Sequence, residues 1–291
     1  MSSKQNRILI FGAGVIGSIY AIKFIDAGYD VTMFARSNKF NALKENGLQY
    51  YEKGKVKSVK VNIIDTLNND DVYDFIFVTV RYDRSESALS ALRDNQSKTI
   101  VTMISNSNGF STWLDIVGDR LLPAFPGVGG QIKDGVLHAR IPPKALAATT
   151  FGEISGLVTE RVDNLVNLLR TAKLPYAINP DMKSYLITHS VSDIALLSFL
   201  NPESKKTARN ITFTLKTYLR AIQKAGVVIN PSIFKFVLVC PNWILNFFFM
   251  MWLRTKMVKD MMLPDYAINA NNEIMQLEND LLKFLSQENR V

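Results

Sequence analysis

The sequence predicts an α/β N-terminal domain, residues 1–173, followed by an all-helical C-terminal domain, residues 174–291. Three observations carry this reading. An apolar run from Ile8 to Phe11 meets Gly12, Gly14 and Gly17 and passes into an amphipathic helix pattern. DFIFVTV at 74–80 and TIVTMIS at 99–105 are unbroken β-branched and aromatic runs, the composition of strands buried on both faces of a parallel sheet. From Lys173 onward, strand signals give way to long helical periods. A strand, a glycine turn and a helix feeding a parallel sheet make the first domain Rossmann-type.

The elements follow in order. Residues 7–11 and 30–35 read as the first two strands, joined by a helix over 15–27 that Gly28 stops. Phe40 to Asn46 reads as a short helix ended at Gly47, and Leu48 to Ile64 as a hairpin or an edge excursion turning at YEKG. A helix over 84–93 follows the third strand, and Trp113–Val117 is a short one. RLLPAF, VLHARI and ALAATTFG read as strands, with GVGGQIKDG between the first two as a glycine-rich loop. NLVNLLRTA at 164–172 closes the domain. Beyond it, Met182–Leu197, Thr207–Ala225, Ser232–Lys259 and Ile268–Leu285 have helical periods.

The segment from Phe236 to Leu253 is almost wholly apolar, but Pro241, Asn242 and Asn246 interrupt it. It is read as two helices broken near Cys240–Pro241, buried in the helical domain or against a second copy, and not as a membrane span. A homodimer is the expected assembly.

In the glycine motif each residue has its own task. Gly12 makes the tight turn, Gly14 lets backbone approach a pyrophosphate, and Gly17 lets the helix pack on the strand. With Ala13, Val15 and Ile16 they form a dinucleotide cradle at a helix N-terminus, where free N–H groups and the helix dipole favour anions. The second strand ends in MFARSN, with no acid to accept from a ribose hydroxyl. Arg36 can instead pair with a 2′-phosphate, which selects NADPH over NADH.

Loops at the carboxyl ends of the next strands place Arg81 and Arg84, then Asn106, Asn108 and Gly109, near the cofactor. Asn108 can hold a carboxamide or a substrate oxygen without adding charge. The helical domain must supply the acid. Lys183, near the start of its first long helix, is the candidate donor to a developing alkoxide, in a cleft expected between the domains. Glu273, spaced helically with Asn269 and Asn272, is a candidate to orient that lysine or bind a hydroxyl. His189 reads as a buried, hydrogen-bonded residue.

Composition narrows the classes. The net charge is +8 and the pI near 9.4, but the cations are scattered, with no compact basic stretch interleaved with aromatics. This argues for anionic small molecules and against nucleic acid. Cys240 is the single cysteine and reads as buried, and no HxxxH, HExxH or CxxC spacing supports a metal site. The glycine motif lacks the Lys-Ser/Thr of a P-loop. MSSKQNR is a polar lead with no signal-type apolar stretch, so a cytoplasmic location is expected.

GAGVIG, Arg36 and the Asn108–Gly109 pair, together with FPGVGGQIKDG and NANNEIMQL, resemble the ketopantoate 2-reductase family from Arg7 to about Leu285. The resemblance implies NADPH-dependent reduction of a 2-oxo acid of the 2-dehydropantoate kind, the chemistry of pantothenate biosynthesis. It implies Lys183 as general acid, Asn108 as the asparagine near the nicotinamide, and Glu273 as the candidate for the family's late glutamate. The chain departs from the pattern at Arg81 and Arg84, where the family has lysine and glutamine, and at Ile187 and Val191, where it has asparagines. Those departures leave a second expectation, a nucleotide-binding sensor or interaction protein of the same fold with little activity.

Overall fold

The computed structural model describes residues 6–197, 207–255 and 271–288. Among these, contacts divide the chain into two units. The first holds residues up to Ile104 and Ser111–Met182; the second holds Ser105–Phe110 and the chain from Lys183.

The first unit is built on an eight-stranded sheet. β1 (Arg7–Phe11) lies at its middle with β2 (Asp30–Phe34) on one side and β6 (Phe75–Val78) on the other, all parallel. β5 (Asn62–Ile64) extends the sheet beyond β2, and β7 (Ile100–Met103) and β8 (Leu121–Phe125) extend it beyond β6. β11 (Thr149–Phe151) pairs antiparallel with β8, and β12 (Tyr176–Ile178) closes that edge. Strand order reverses beside β1, the place where open α/β sheets hold ligands. Phe11 is in register with Phe34 and Val78, so the three chains leave the sheet at one level.

The physical reason for this sheet is the apolar runs themselves. Ile8, Leu9 and Ile10 are wholly buried, as are Ile76, Phe77 and Val78. Helix α1 (Val15–Asp26) buries Tyr20 and Phe24 against them, with the Tyr20 ring 6.1 Å from Phe77. The Tyr20 hydroxyl and Thr149 Oγ1 share a 2.6 Å hydrogen bond in this core. Burial this complete raises the phenol's pKa, so it stays protonated. Gly28, at φ +86°, follows α1, as its sequence position predicts.

A smaller four-stranded sheet sits in the same unit. The hairpin expected over 48–64 is present as β3 (Leu48–Glu52) and β4 (Lys55–Val59). Its partners are β10 (Val136–Arg140) and β9 (Gly129–Lys133). Here GVGGQIKDG departs from the expected loop, because Gly129–Lys133 pairs antiparallel with β10. A Cβ on Gly130 would stand 2.3 Å from His138 O, so the glycine serves close strand approach rather than looseness. The remaining helices of this unit are α2 (Ser37–Asn46), α3 (Ser85–Ser90), α4 (Ser111–Val117) and α5 (Glu160–Thr171). Helix α3 is shorter than the 84–93 predicted, because Arg84 belongs to a 3₁₀ turn at Tyr82–Arg84 and the helix ends at Ser90.

The second unit is helical: α6 (Met182–Leu197), α7 (Ala208–Lys224), α8 (Ile233–Val239), α9 (Asn242–Leu253) and α10 (Asn271–Glu288). The break at Cys240–Pro241 falls where proline predicts it. Of the two expected surroundings for this segment, burial within the helical domain holds only in part, for of α9 only Leu245 and Phe249 are buried in this chain. No helix among the described residues is long and apolar enough to cross a membrane. The expected helix start at Ile268, and Asn269, lie outside the described residues.

Candidate active site

The turn after β1 has the geometry its glycines demand. Gly12 sits at φ +127°, where a side chain is strained, and a Cβ there would meet Thr79 at 3.0 Å. Thr79 Oγ1 donates to Gly12 O at 2.9 Å and ties the turn to the end of β6. A Cβ on Gly17 would lie 2.0 Å from Gly12 O, which only glycine avoids. Gly14, the residue before α1, has nothing within 4 Å of its Cβ position and no side-chain cap over the helix end. Ala13, Val15 and Ile16 pack partly against the core beneath this cradle.

Beside the turn lies a cavity of about 470 Å³, lined by Gly12, Ala13, Phe34, Arg36, Lys39 and Arg84 among others. Phe34 stacks on Phe11 with centroids 4.3 Å apart, and the Arg36 guanidinium lies 5.1 Å from the Phe34 ring centroid. Arg36 precedes α2, and Lys39 is three residues along. Burial lowers the Lys39 pKa. Lys39 was missed in the sequence reading; its signal is the i,i+3 spacing from Arg36 on a helix opening at the strand end. Arg84 reaches the cavity wall, whereas Arg81 is half-buried and held by Asp83, Nε to Oδ1 3.2 Å. A flat aromatic wall and three cations, with the acid Asp83 on the same wall and paired to Arg81, give this cavity the chemistry to take an aromatic base and an anion.

The second group of residues lies in the helical unit. The loop Ser105–Phe110 leaves β7 and is shaped by Asn106, whose Nδ2 donates to Gly109 O at 2.7 Å and whose Oδ1 accepts from Asn108 N–H at 2.9 Å. Gly109 takes φ +79°, and its missing Cβ would be 3.4 Å from Lys183 Cε. Lys183, in the first turn of α6, is exposed, with Nζ 5.7 Å from the Phe284 ring centroid. Asn108 is half-buried. At the other end of the loop, the Ser105 hydroxyl donates to Asp193 Oδ2 in a short bond.

Asp193 is a residue that sequence reasoning missed. Burial, with a further push from the charge of Glu273, raises its pKa to about 7 against the lowering effect of the Ser105 bond. Glu273 itself is buried in the first turn of α10. An isolated aspartate inside a helical period gives no local signal; only the fold brings serine and glutamate to it. Ile187 and Val191 are wholly buried core residues. His189 is half-buried, 4.5 Å from the Tyr185 ring and 5.7 Å from Phe234, and burial lowers its pKa to about 4. It is therefore neutral at physiological pH.

The Asp193 shift has a testable sign. Between pH 4 and 7 the folded chain keeps a proton that an ordinary aspartate releases near 3.8, so stability falls as pH rises through this window. Asp193→Asn keeps an acceptor for Ser105 and removes that loss. Urea denaturation is expected to show it more stable than the parent by about 1–3 kcal/mol at pH 8 and equal at pH 4.

A mostly parallel sheet of this strand order with a glycine turn at its switch point, followed by a helical unit, defines a Rossmann-type α/β protein. Residues 8–125 match the family model described as Ketopantoate reductase PanE/ApbA. A 2-dehydropantoate 2-reductase of Archaeoglobus fulgidus is 27% identical over 169 residues, 58% of this chain and 54% of that protein. One from Mesorhizobium japonicum is 28% identical over 212 residues, 61% of each chain. The chain thus spans little more than half the length of these curated relatives. The crystal structure of a 2-dehydropantoate 2-reductase from Geobacter metallireducens shares the fold with a TM-score of 0.72 at 16% identity, covering 97% of this chain and 94% of that one. So does D-mandelate dehydrogenase with NADH and anilino(oxo)acetate, at 0.65 and 13%, covering 97% and 99%. The N-terminal part of the chain, residues 8–125, is thus similar to the ketopantoate reductase family, and distantly so.

Proposed function

We propose that the protein is an NADPH-dependent oxidoreductase that reduces a 2-oxo acid related to 2-dehydropantoate to its 2-hydroxy acid. The observation that carries this reading is the Ser105–Phe110 loop, which brings Gly109 against Lys183 and Ser105 onto Asp193. Gly12, Gly14 and Gly17 would hold the pyrophosphate, and Arg36, with Lys39 and Arg84 near it, the 2′-phosphate. When bound, NADPH supplies the hydride. Lys183 receives the carbonyl oxygen, offsets the charge that builds there and donates the proton. Asn108 donates a hydrogen bond from its carboxamide to the substrate or the nicotinamide amide. Glu273 orients the polar groups around it, and Asp193, mostly protonated below about pH 7, limits the negative charge facing an anionic substrate.

Ile187 and Val191 bear on the substrate's identity. Where relatives of the resembled pattern offer two amides, this chain offers apolar core, so a substrate hydroxyl finds fewer partners. The test is NADPH oxidation against a panel of 2-oxo acids. Hydroxyl-free acids are expected to be reduced at least as efficiently as 2-dehydropantoate. NADPH binding without turnover on any carbonyl would defeat the enzyme reading and favour a nucleotide sensor, which those same two residues favour.

Cofactor choice has a separate test. Arg36→Ala is expected to weaken NADPH binding about 10–100-fold by calorimetry while leaving NADH within about twofold, since only the extra phosphate needs the guanidinium. An equal loss for both would reject the assignment of Arg36.

A further inference from the structure

Helices α8 and α9 leave an apolar surface that nothing among the described residues covers. Nine large apolar side chains between Ile233 and Met251 are exposed, with Val239 at 79%, Trp243 at 72% and Phe247 at 60%. A helix that is apolar all round needs an apolar medium on every side, yet α9 buries only Leu245 and Phe249, one turn apart. Trp243, Phe247 and Met250 follow one outer stripe that ends at exposed Arg254. The elbow between the helices is pinned from beneath, because buried Lys216 on α7 donates to Cys240 O at 2.5 Å. The surface is therefore a fixed feature of the fold.

Charge says what covers it. The cations are scattered along the chain, but the acids are not. From Ser204 to Lys259 there are ten Lys and Arg and no Asp or Glu, while the rest of the chain has 24 cations against 26 acids. The whole positive balance of the protein thus belongs to the segment that carries the apolar surface. Arg209 lines a cavity of about 540 Å³ together with Phe247 and Met250, so a cation stands directly beside the exposed aromatics. Lys235 and Arg254, both exposed, flank the helix pair.

We infer that α8 and α9 dock this protein onto an anionic lipid surface, with Trp243, Phe247 and Val239 entering the headgroup boundary and Arg209, Lys235 and Arg254 meeting lipid phosphates. The helices lie in the interface: α9, twelve residues and about 18 Å long, is too short to span a bilayer. Apolar burial and attraction to anionic headgroups together drive such binding. A second copy of the chain is the competing occupant. A two-fold contact sets the same surface against itself, and this acid-free segment then brings no counter-charge to the cations opposite. Anionic lipid supplies that counter-charge.

Vesicle flotation of the full chain tests this. Vesicles of phosphatidylcholine with about 30% phosphatidylglycerol are expected to carry the protein, with a blue shift of tryptophan emission, and pure phosphatidylcholine to carry at least about tenfold less. Phe247→Glu with Trp243→Glu, both on the exposed face, is expected to lower binding at least about tenfold with the circular dichroism unchanged. Arg209→Glu with Arg254→Glu does the same without altering the apolar face, which guards against a folding defect in the first variant. Absence of flotation on the anionic vesicles, or equal flotation on both kinds, overturns the inference. So does a lipid-free dimer that Phe247→Glu splits and that anionic vesicles fail to capture, an outcome that gives the face to a second copy.

Discussion

Replacing Lys183 with alanine is expected to lower kcat by about 10²–10⁴-fold, the usual contribution of a positioned general acid, while the affinity for NADPH stays within about twofold. The separation follows from where the lysine sits. It belongs to the helical unit, next to the Asn106–Gly109 turn, whereas the glycine cradle and Arg36 belong to the sheet unit. Removing Lys183 leaves Gly12, Gly14, Gly17 and Arg36 untouched. It also removes an ammonium that lies 5.7 Å from the centre of the Phe284 ring, an exposed contact that contributes only about 0.5–1 kcal/mol to stability. A large loss of kcat with an intact fold therefore reports chemistry. Stopped-flow measurement of a single turnover separates the chemical step from product release, and Lys183→Arg sharpens the result. Arginine keeps the positive charge but does not release a proton at neutral pH, so it recovers part of the charge stabilisation and none of the proton transfer. Unchanged turnover in Lys183→Ala would remove the lysine from the mechanism.

Gly17→Ala is expected to abolish measurable NADPH binding or to unfold the sheet unit, and it acts through backbone. The added methyl would stand 2.0 Å from Gly12 O and 2.6 Å from Thr79 Oγ1. Gly12 cannot retreat, since Thr79 Oγ1 already donates to its carbonyl at 2.9 Å and Phe11 before it is locked in register with Phe34 and Val78. Relief requires α1 to lift off β1, which would uncover part of the surface that Tyr20 and Phe24 bury. Overpacking of this kind costs about 1–3 kcal/mol where side chains can adjust, and more where backbone must move. Gly14→Ala is the control. Nothing lies within 4 Å of its Cβ position, so the fold should tolerate the methyl and thermal unfolding should stay within a few degrees. Its effect on NADPH should be a loss of affinity alone, because the methyl occupies the space a pyrophosphate needs. If Gly17→Ala bound NADPH normally, the close packing of helix on turn would not be what the cofactor half depends on.

The local parts of this protein were legible in the chain because each is specified by neighbours in sequence. The glycine turn, the buried strands, the end of α1 at Gly28 and the whole of α6 follow from periodicity, from φ > 0 at a glycine or from a missing N–H at proline. The Gly129–Lys133 stretch was misread for a related reason. Glycine signals both looseness and close approach, and only the neighbouring strand, with His138 O against Gly130, distinguishes them. Lys39 was overlooked although its i,i+3 spacing from Arg36 marks it, whereas Asp193 escaped notice because no spacing rule marks a single charged residue whose partners lie elsewhere.

By itself, then, the sequence determined a glycine turn between a strand and a helix, an arginine where the second strand ends, and a lysine opening the first long helix. Tertiary structure alone decided that Ser105–Phe110, contiguous with a strand of the sheet, belongs with the helices, where Ser105 meets Asp193 and Gly109 meets Lys183. It also decided that most of α9 faces outward. Both outcomes are long-range: which residues share a dry environment depends on how elements pack, and packing joins positions as far apart as Ser105 and Asp193, whose spacing along the chain carries no trace of their contact.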